Sequence, residues 1–492
     1  MAEAPLVGRP FSRVFVPTYN AIIGFFFLAA TASYFYTLHF SKRKVGEKTP
    51  LLSGQVVSPA KGLKLVYRKV RSVLLYQPPG RYLEANGTMF VVAAFLGLNC
   101  FYTFYPSTAT RAEFYTASVF GNRLGLVSVV NIPIMFLLGS KTGLLVQWTG
   151  WSHEGYNILH RHAGRVVCVT AIGHIIANSL NGRTLQEQVT RSSRIGVGGG
   201  LPGLAFLIIL VTSFAPARNK AYEIFLYAHV WFLVAGIVLL YFHYARCRPY
   251  CIAASVIWLW DRFNRYKNAQ HVVGTATVLS GNTVKLSLNL KSTFRDIHWQ
   301  TGQYVYISVH KLAPFQAHPF TIASPPTADT LDLIIRARSG FSKTLFLADE
   351  QDHKVTFHGP YGSPPKFDGL SKVILLAGGA GVAYSYPEAV ELARTMPDIE
   401  IDFFWVIPQR DFVSWVDMDP KYNVDFKVWV TAEQGRPNID QYVKDSIAAA
   451  NGAPCAVAVC GPSPLVRSSR NACASLLWNG VDVEFYSENF GW

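Results

Sequence analysis

His160 and His174 stand fourteen residues apart, and so do His229 and His243. Each pair lies in a stretch otherwise apolar enough to cross a membrane. On an α-helix, fourteen residues advance roughly 21 Å and return to within about 40° of the starting face. Both histidines of a pair therefore look out from one stripe, one near each side of the bilayer core. An imidazole inside lipid is costly without a partner, which makes it a functional hypothesis by default. Any one of the four could be a core histidine hydrogen-bonded to a neighbouring helix, but that alternative predicts no common spacing. Two helices with two histidines each could ligate two haems stacked across the bilayer, His160 and His229 on one iron, His174 and His243 on the other.

The elements that must hold these residues follow from composition. Half of the 492 residues are hydrophobic and only 15% are charged, in blocks too apolar for a soluble protein of this size. The seven cysteines show no metal-ligand spacing, and their odd number argues against a disulfide framework; even Cys247 and Cys251 are read as free thiols. The net charge of +15 does not point to nucleic acid. Ten Lys or Arg and two acids fall between Ser41 and Asn86, between two apolar spans, as the positive-inside bias places them.

The first apolar run lacks a basic start and a cleavage site, so no removable signal peptide is read. Seven spans are expected: Val16 to Phe40, Thr88 to Tyr105, Leu124 to Trp148, Tyr156 to Ala177, Ile195 to Ala215, Tyr222 to Tyr244 and, weakest, Tyr250 to Trp260. Asn131 and Pro133 inside the third imply a kink or a buried polar contact. With the basic loop in the cytosol, the N-terminus lies outside and everything past residue 266 is cytosolic. The two histidine helices then run in the same direction, which places His160 with His229 near the inner face. Arg161, His162 and Arg165 could hold haem propionates there or snorkel to the head groups.

From about residue 271 the pattern changes to short alternating segments broken by Gly281-Asn282 and Thr301-Gly302, the grammar of a small antiparallel barrel. A flavin needs a flat apolar surface, hydrogen bonds to its ring edge, and cationic or N–H groups for its diphosphate. Phe320 and Thr321, in His318-Pro319-Phe320-Thr321, could supply the first two, and Arg336 or Arg338 with the Gly340, Phe341 and Ser342 backbone the third; the alternative is an ordinary strand end. Lys372 to Leu376 then reads as a buried strand entering a turn with Gly378, Gly379, Gly381 and Val382. Such a turn lets backbone amides approach a diphosphate. Strands near 399–406, 425–430 and 456–459 complete an open α/β domain. Arg410 and Arg436, past two strand ends, are candidates for a 2′-phosphate, hence for NADPH, or are plain surface arginines.

Together these residues resemble the fungal ferric-chelate reductase branch of the ferric reductase and NADPH oxidase transmembrane family. The resemblance runs from about residue 88 to the last residue. It rests on His-Arg-His-Ala-Gly-Arg from His160, the two histidine pairs, His-Pro-Phe-Thr, Gly-Gly-Ala-Gly-Val with Pro387 behind it, Cys460-Gly461-Pro462, and Glu488-Asn489-Phe490-Gly491-Trp492. It implies two b-type haems on the four histidines, FAD at His318 to Thr321 and Arg336 to Ser342, and NADPH at the glycine turn with Cys460 near the nicotinamide. By similarity Phe490 covers the flavin until nicotinamide displaces it. Ala383 departs from the family, where Thr often follows the turn. Family oxidases usually have one residue fewer in the second histidine spacing; the equal spacings here point to a reductase.

The reading is therefore a multi-domain membrane protein. Residues 1–87 form a first span and basic cytosolic loop, 88–266 an α-helical transmembrane di-haem domain, 267–370 an FAD-binding β-barrel, and 371–492 an NADPH-binding α/β domain of ferredoxin-reductase type. Its expected activity is transmembrane reduction of chelated ferric or cupric ions for uptake, in the plasma membrane or an internal membrane such as the vacuole. The alternatives are a superoxide-generating NADPH oxidase and a non-catalytic haem-binding membrane partner.

Overall fold

The computed structural model describes residues 8–40, 59–80, 83–105, 117–142, 144–149, 151–180, 200–293, 296–313, 316–338, 340–348, 351–418 and 424–488. The chain divides into two compact units, Met1–Phe35 with Val91–Asn264, and Tyr36–Phe90 with Arg265–Trp492. The described helices up to residue 267 are α1 (Gly8–Phe40), α2 (Pro59–Leu75), α3 (Asn86–Phe104), α4 (Ala117–Leu138), α5 (Leu144–Thr149), α6 (His153–Leu180), α7 (Gly200–Ser213), α8 (Ala215–Lys220), α9 (Tyr222–His243) and α10 (Arg248–Lys267).

Among the described residues five stretches are long and apolar enough to cross a membrane: Phe15–Ser33, Asn86–Phe104, Val119–Leu138, His153–Leu180 and Tyr222–His243. This is a multi-pass membrane protein. The shorter apolar helix α7 lies in the expected fifth span, whose first residues fall outside the described ones. Two expectations need correction. The third span does not run to Trp148: α4 stops at Leu138, and α5 is a separate short helix. Asp261 explains the break, because its Oδ1 accepts from Ser140 Oγ at 2.9 Å, Lys141 N at 2.8 Å and Thr142 N at 2.9 Å, satisfying amides that a continuing helix would have used. The weak seventh span is one stretch of the 20-residue α10. That helix is not among the five, since Asp261, Arg262, Arg265 and Lys267 occupy its last turns.

Within the first unit, α4 packs against α6 through Ile132, Met135, Ala163 and Val167, and α7 packs on α9 where Gly236 meets Ala205 and Phe206. The polar contact expected of Asn131 is present. The Tyr19 hydroxyl donates to Asn131 Oδ1 at 2.6 Å, and Asn131 Nδ2 donates to Asn99 Oδ1 at 2.7 Å, joining α1, α3 and α4. Lipid offers these groups no water, so each is satisfied by another helix.

In the second unit, a six-stranded antiparallel sheet has the order β4-β3-β6-β1-β2-β5. Its strands are β1 (Gln270–Leu279), β2 (Thr283–Asn289), β3 (Tyr304–Ser308), β4 (His318–Thr321), β5 (Thr330–Arg336) and β6 (Asp352–Tyr361), with the short α11 (Phe341–Phe346) after β5. The first hairpin turns on Gly281 and Asn282, both at positive φ, as a type I′ turn requires. Just past β4, Ile322 makes a single bridge to Leu333 of β5. A parallel sheet follows in the order β11-β10-β7-β8-β9. It comprises β7 (Lys372–Gly378), α12 (Val382–Thr395), β8 (Glu400–Ile407), β9 (Asp425–Val430), α13 (Thr431–Gln434), α14 (Ile439–Ala449), β10 (Cys455–Cys460), α15 (Ser463–Trp478) and β11 (Val483–Glu488). Val373, Leu375 and Ala377 face one core and Ile374 and Leu376 the other, which is why β7 reads as an unbroken apolar run.

Helix α2, expected only as part of a basic loop, docks on this parallel domain. Arg71 Nη2 lies 2.9 Å from Glu484 Oε2, Arg68 Nη2 lies 3.3 Å from Asp482 Oδ2, and Ser72 Oγ donates to Ala474 O at 2.6 Å. The ion pairs are half exposed and contribute at most about 1 kcal/mol each, so buried Ser72 and the packing of Leu75 carry much of the contact.

Asn131→Leu would leave the Tyr19 hydroxyl and the Asn99 side-chain carbonyl with only their longer bond to each other, at 3.3 Å. It should cost about 1–2 kcal/mol, seen as a lower melting temperature of the detergent-purified protein. Tyr19→Phe should cost less, because the two asparagines still pair.

Candidate functional site

The structure brings the four histidines together in two pairs. The rings of His160 and His229 lie 6.3 Å apart between centroids, and those of His174 and His243 lie 6.5 Å apart. Both pairings require α6 and α9 to run in the same direction, with α7 returning between them. Two imidazoles that bind one metal from opposite sides, each through a bond of about 2.0 Å, hold their ring centres roughly 6 Å apart.

The other ring nitrogens support the same use. His160 Nδ1 lies 2.9 Å from Met135 O and His174 Nδ1 lies 2.6 Å from Gly121 O, so each donates there and leaves Nε2 as a lone-pair ligand. His229 Nδ1 is buried without a hydrogen-bond partner. Room for both rings on α6 comes from two glycines at the facing edge: a Cβ on Gly125 would lie 2.9 Å from His174 Nδ1, and one on Gly139 would lie 2.9 Å from His160 Nδ1. These glycines are also fourteen residues apart. That matched spacing is a signal the sequence carries beside the histidine spacing. The donor set, the separations and the clearance fit two bis-histidine irons. Of the three neighbours expected at propionates, Arg165 Nη1 lies 3.5 Å from His162 Nδ1.

In the second unit, the two stretches read as a flavin site meet. His318-Pro319-Phe320-Thr321 forms β4, paired with β3 so that Thr321 stands opposite Tyr304 and His318 opposite Ile307. The His318 ring stacks on Phe341 at 4.6 Å with 5° between planes, and Phe320 lies 6.3 Å from the same ring. Gly340, at φ 58°, starts α11, and Ser342 Oγ accepts from Arg338 N at 3.1 Å. Arg336 and Arg338 are exposed.

The two nucleotide motifs also meet, on adjacent strands. Cys460 pairs in register with Ala377, which sets Cys460-Gly461-Pro462 beside the glycine turn. A Cβ on Gly381 would fall 2.0 Å from Cys460 O and one on Gly378 would fall 2.6 Å from Pro462 Cδ, so neither position admits a side chain. Gly379 stands at φ 53° with nothing within 4 Å of a Cβ, and its carbonyl accepts from Trp405 Nε1 at 3.0 Å. This open, amide-rich turn leads through Val382 into α12. The Cys460 side chain is buried. Arg410 is engaged with Glu433 at 2.6 Å on the surface, and Arg436 is exposed. Phe490 lies outside the described residues.

One residue at this junction gave no sign in the sequence. Glu388, on α12, is buried, with one oxygen bonded to Thr301 of the antiparallel domain and Oε2 without a partner. Nearby, Gly302 abuts Tyr384 of the same helix. Only the fold shows that this helix face turns inward.

Comparison with known proteins agrees with this organisation. The family model described as ferric reductase like transmembrane component matches residues 124–240, an FAD-binding domain model matches 268–365, and the ferric reductase NAD binding domain model matches 423–474. The chain is thus similar to ferric reductases in its membrane, FAD-binding and NAD-binding segments. It is 25% identical over 363 residues to the ferric/cupric reductase transmembrane component 1 of Candida albicans, covering 69% of this chain and 47% of that one. Component 7 of Saccharomyces cerevisiae is 24% identical over 67% of this chain and 56% of its own. The ferric reductase transmembrane component 1 of Schizosaccharomyces pombe is 23% identical over 73% and 76%. The chain thus spans about half the length of the first two relatives. It carries FAD- and NAD(P)H-binding domains behind a membrane domain.

Burial pushes the Glu388 carboxyl up to about 7, against the lowering effect of its bond to Thr301 and with added repulsion from Glu391. The folded protein therefore holds a proton that the unfolded chain releases from about pH 4.5, and stability falls as pH rises between these values. Melting of the purified protein should move to lower temperature from pH 5 to pH 8. Glu388→Gln should flatten that slope; a slope as steep as the parent's would assign it to other groups.

Proposed function

We propose that the chain is a transmembrane ferric-chelate reductase, moving electrons from cytosolic NADPH to chelated ferric or cupric ions on the opposite side, for uptake at the plasma membrane. The observation that carries the reading is the meeting of four membrane histidines in two pairs, in a chain that also bears FAD- and NAD(P)H-binding domains. When bound, FAD and two b-type haems supply hydride acceptance and single-electron transfer, while the protein supplies position and field.

His160 and His229 would hold one iron, His174 and His243 the other. The backbone carbonyls at Nδ1 fix ring orientation and raise ligand basicity. His174 and His243 would both be committed to holding the outer group, so the acceptor would be met from outside that pair, which suits a chelated metal. His318, Pro319, Phe320 and Thr321 would hold the flavin ring, and Arg336, Arg338 and the amides from Gly340 to Ser342 its diphosphate. Gly378, Gly379, Gly381 and Val382 would receive the NADPH diphosphate, and Cys460, Gly461 and Pro462 would flank the nicotinamide. For Arg410 to take the 2′-phosphate alongside Arg436, its exposed pair with Glu433 must open, which costs little in water.

His174→Ala should abolish reduction of an impermeant ferric chelate while sparing NADPH-dependent reduction of a soluble dye. Gly139→Ala should displace the His160 ring and lower haem content from two to one per chain, read from the pyridine haemochrome spectrum. Normal ferric-chelate reduction by His174→Ala would remove the histidine assignment. Superoxide formation that ferric chelate does not suppress would favour an oxidase.

A further inference from the structure

Helix α2 has two working faces, and the structure covers only one. Arg68, Arg71, Ser72 and Leu75 recur at helical spacing and turn toward α15 and β11. On the opposite side, at 100° per residue, stand Val66, Tyr67, Val70, Val73 and Leu74, between 41% and 60% exposed. A helix outside the membrane core that packs by its charged side and leaves these five large apolar residues bare, with Leu65 45% exposed as a sixth, has its polarity reversed, and a contiguous patch of that kind marks an interaction site.

Three observations identify what covers it. First, the C-terminal end of α2 is fixed to the start of a membrane-crossing helix: Asn86 Nδ2 donates to Val73 O at 2.8 Å, and a Cβ on Gly87 would lie 3.2 Å from Leu74 O. The bare face therefore begins where α3 enters the bilayer. Second, exposed Lys64 and Lys69 flank the apolar face, and Lys69 Nζ lies 5.0 Å from the ring of half-exposed Trp478, itself suited to a head-group boundary. Third, the segment from Ser41 to Asn86 carries ten basic and two acidic residues, complementary to anionic lipid.

We propose that α2 is an interfacial helix. Val66, Tyr67, Val70, Val73 and Leu74 lie among the acyl chains of the cytosolic leaflet, Lys64 and Lys69 rest on anionic phospholipid head groups, and the opposite face carries the nucleotide-binding domain. No matched family model reaches this segment, since the first begins at residue 124. The proposal rests on the cytosolic placement of the loop and not on the reductase reading, because lipid contact is measured without turnover.

The test places a fluorescent amino acid at Val70 in the full-length protein, reconstituted in nanodiscs of phosphatidylcholine with or without phosphatidylserine. Doxyl-labelled phosphatidylcholine should quench it, whereas iodide should quench it at least about fivefold less than the same probe at exposed Asp445 of α14. Phosphatidylserine should deepen the shielding from iodide, and Lys64→Glu with Lys69→Glu should remove that increment. A Val70 probe that the lipid quencher does not reach, whether it is open to iodide or covered by protein, overturns the proposal. Equal shielding with and without phosphatidylserine overturns the head-group part. Val73 as a second probe position guards against a local disturbance at Val70.

Discussion

The contact between each α6 imidazole and a backbone carbonyl of α4 is what the membrane half depends on. Inside lipid a carbonyl already used by its own helix can still accept a second hydrogen bond, and Met135 O does so, receiving Gly139 N at 3.1 Å as well as His160 Nδ1. Such a bond needs the imidazole edge almost against the facing helix, which only glycine permits. Hence Gly125 and Gly139 repeat the histidine spacing, and α4 packs tightly on α6 while α7 packs on both α6, at Ile175, and α9, at Gly236. Helix-to-helix distance, ring orientation and free ligand nitrogen follow from one interaction used twice.

In the second unit the corresponding constraint is close backbone approach. Gly381 and Gly378 meet Cys460, Gly461 and Pro462 at separations that exclude any Cβ, so the ends of β7 and β10 act as one surface. Their parallel register puts both motifs at the carboxyl edge of the sheet, where ligands of open α/β folds bind. The same crowding leaves Gly379 open, with its amide neighbours accessible.

The sequence revealed what depends on period and punctuation. Equal spacing located the histidine pairs, Gly281-Asn282 located a hairpin, and an apolar run into glycines located β7. It concealed what depends on partners. The stop of α4 at Leu138 is enforced by Asp261, over a hundred residues away, and no local signal separates that break from a continuing apolar span. The apolar run of α10 ends at Trp260, too short by itself to span, although helix formation continues through Lys267. The charge of α2 is plain in the sequence, but its two-sided pattern emerges only once Arg68, Arg71 and Ser72 are seen to pack. Glu388 looked like any helical glutamate until the fold turned it inward.

The hydrogen bonds among Tyr19, Asn99 and Asn131 also bear on how the chain is made. Helices enter the bilayer in the order of synthesis, and the first carries a hydroxyl whose acceptor, Asn131, lies 112 residues downstream. Until α4 emerges, the Tyr19 hydroxyl has Asn99 Oδ1 at 3.3 Å as its acceptor across the helix pair. The early helix pair is thus a waiting state, completed by the same helix that later positions His160 and His174. A chain interrupted before residue 131 lacks its polar lock, and the carbonyls of α4 that later receive His160 and His174 are in place before either histidine helix arrives.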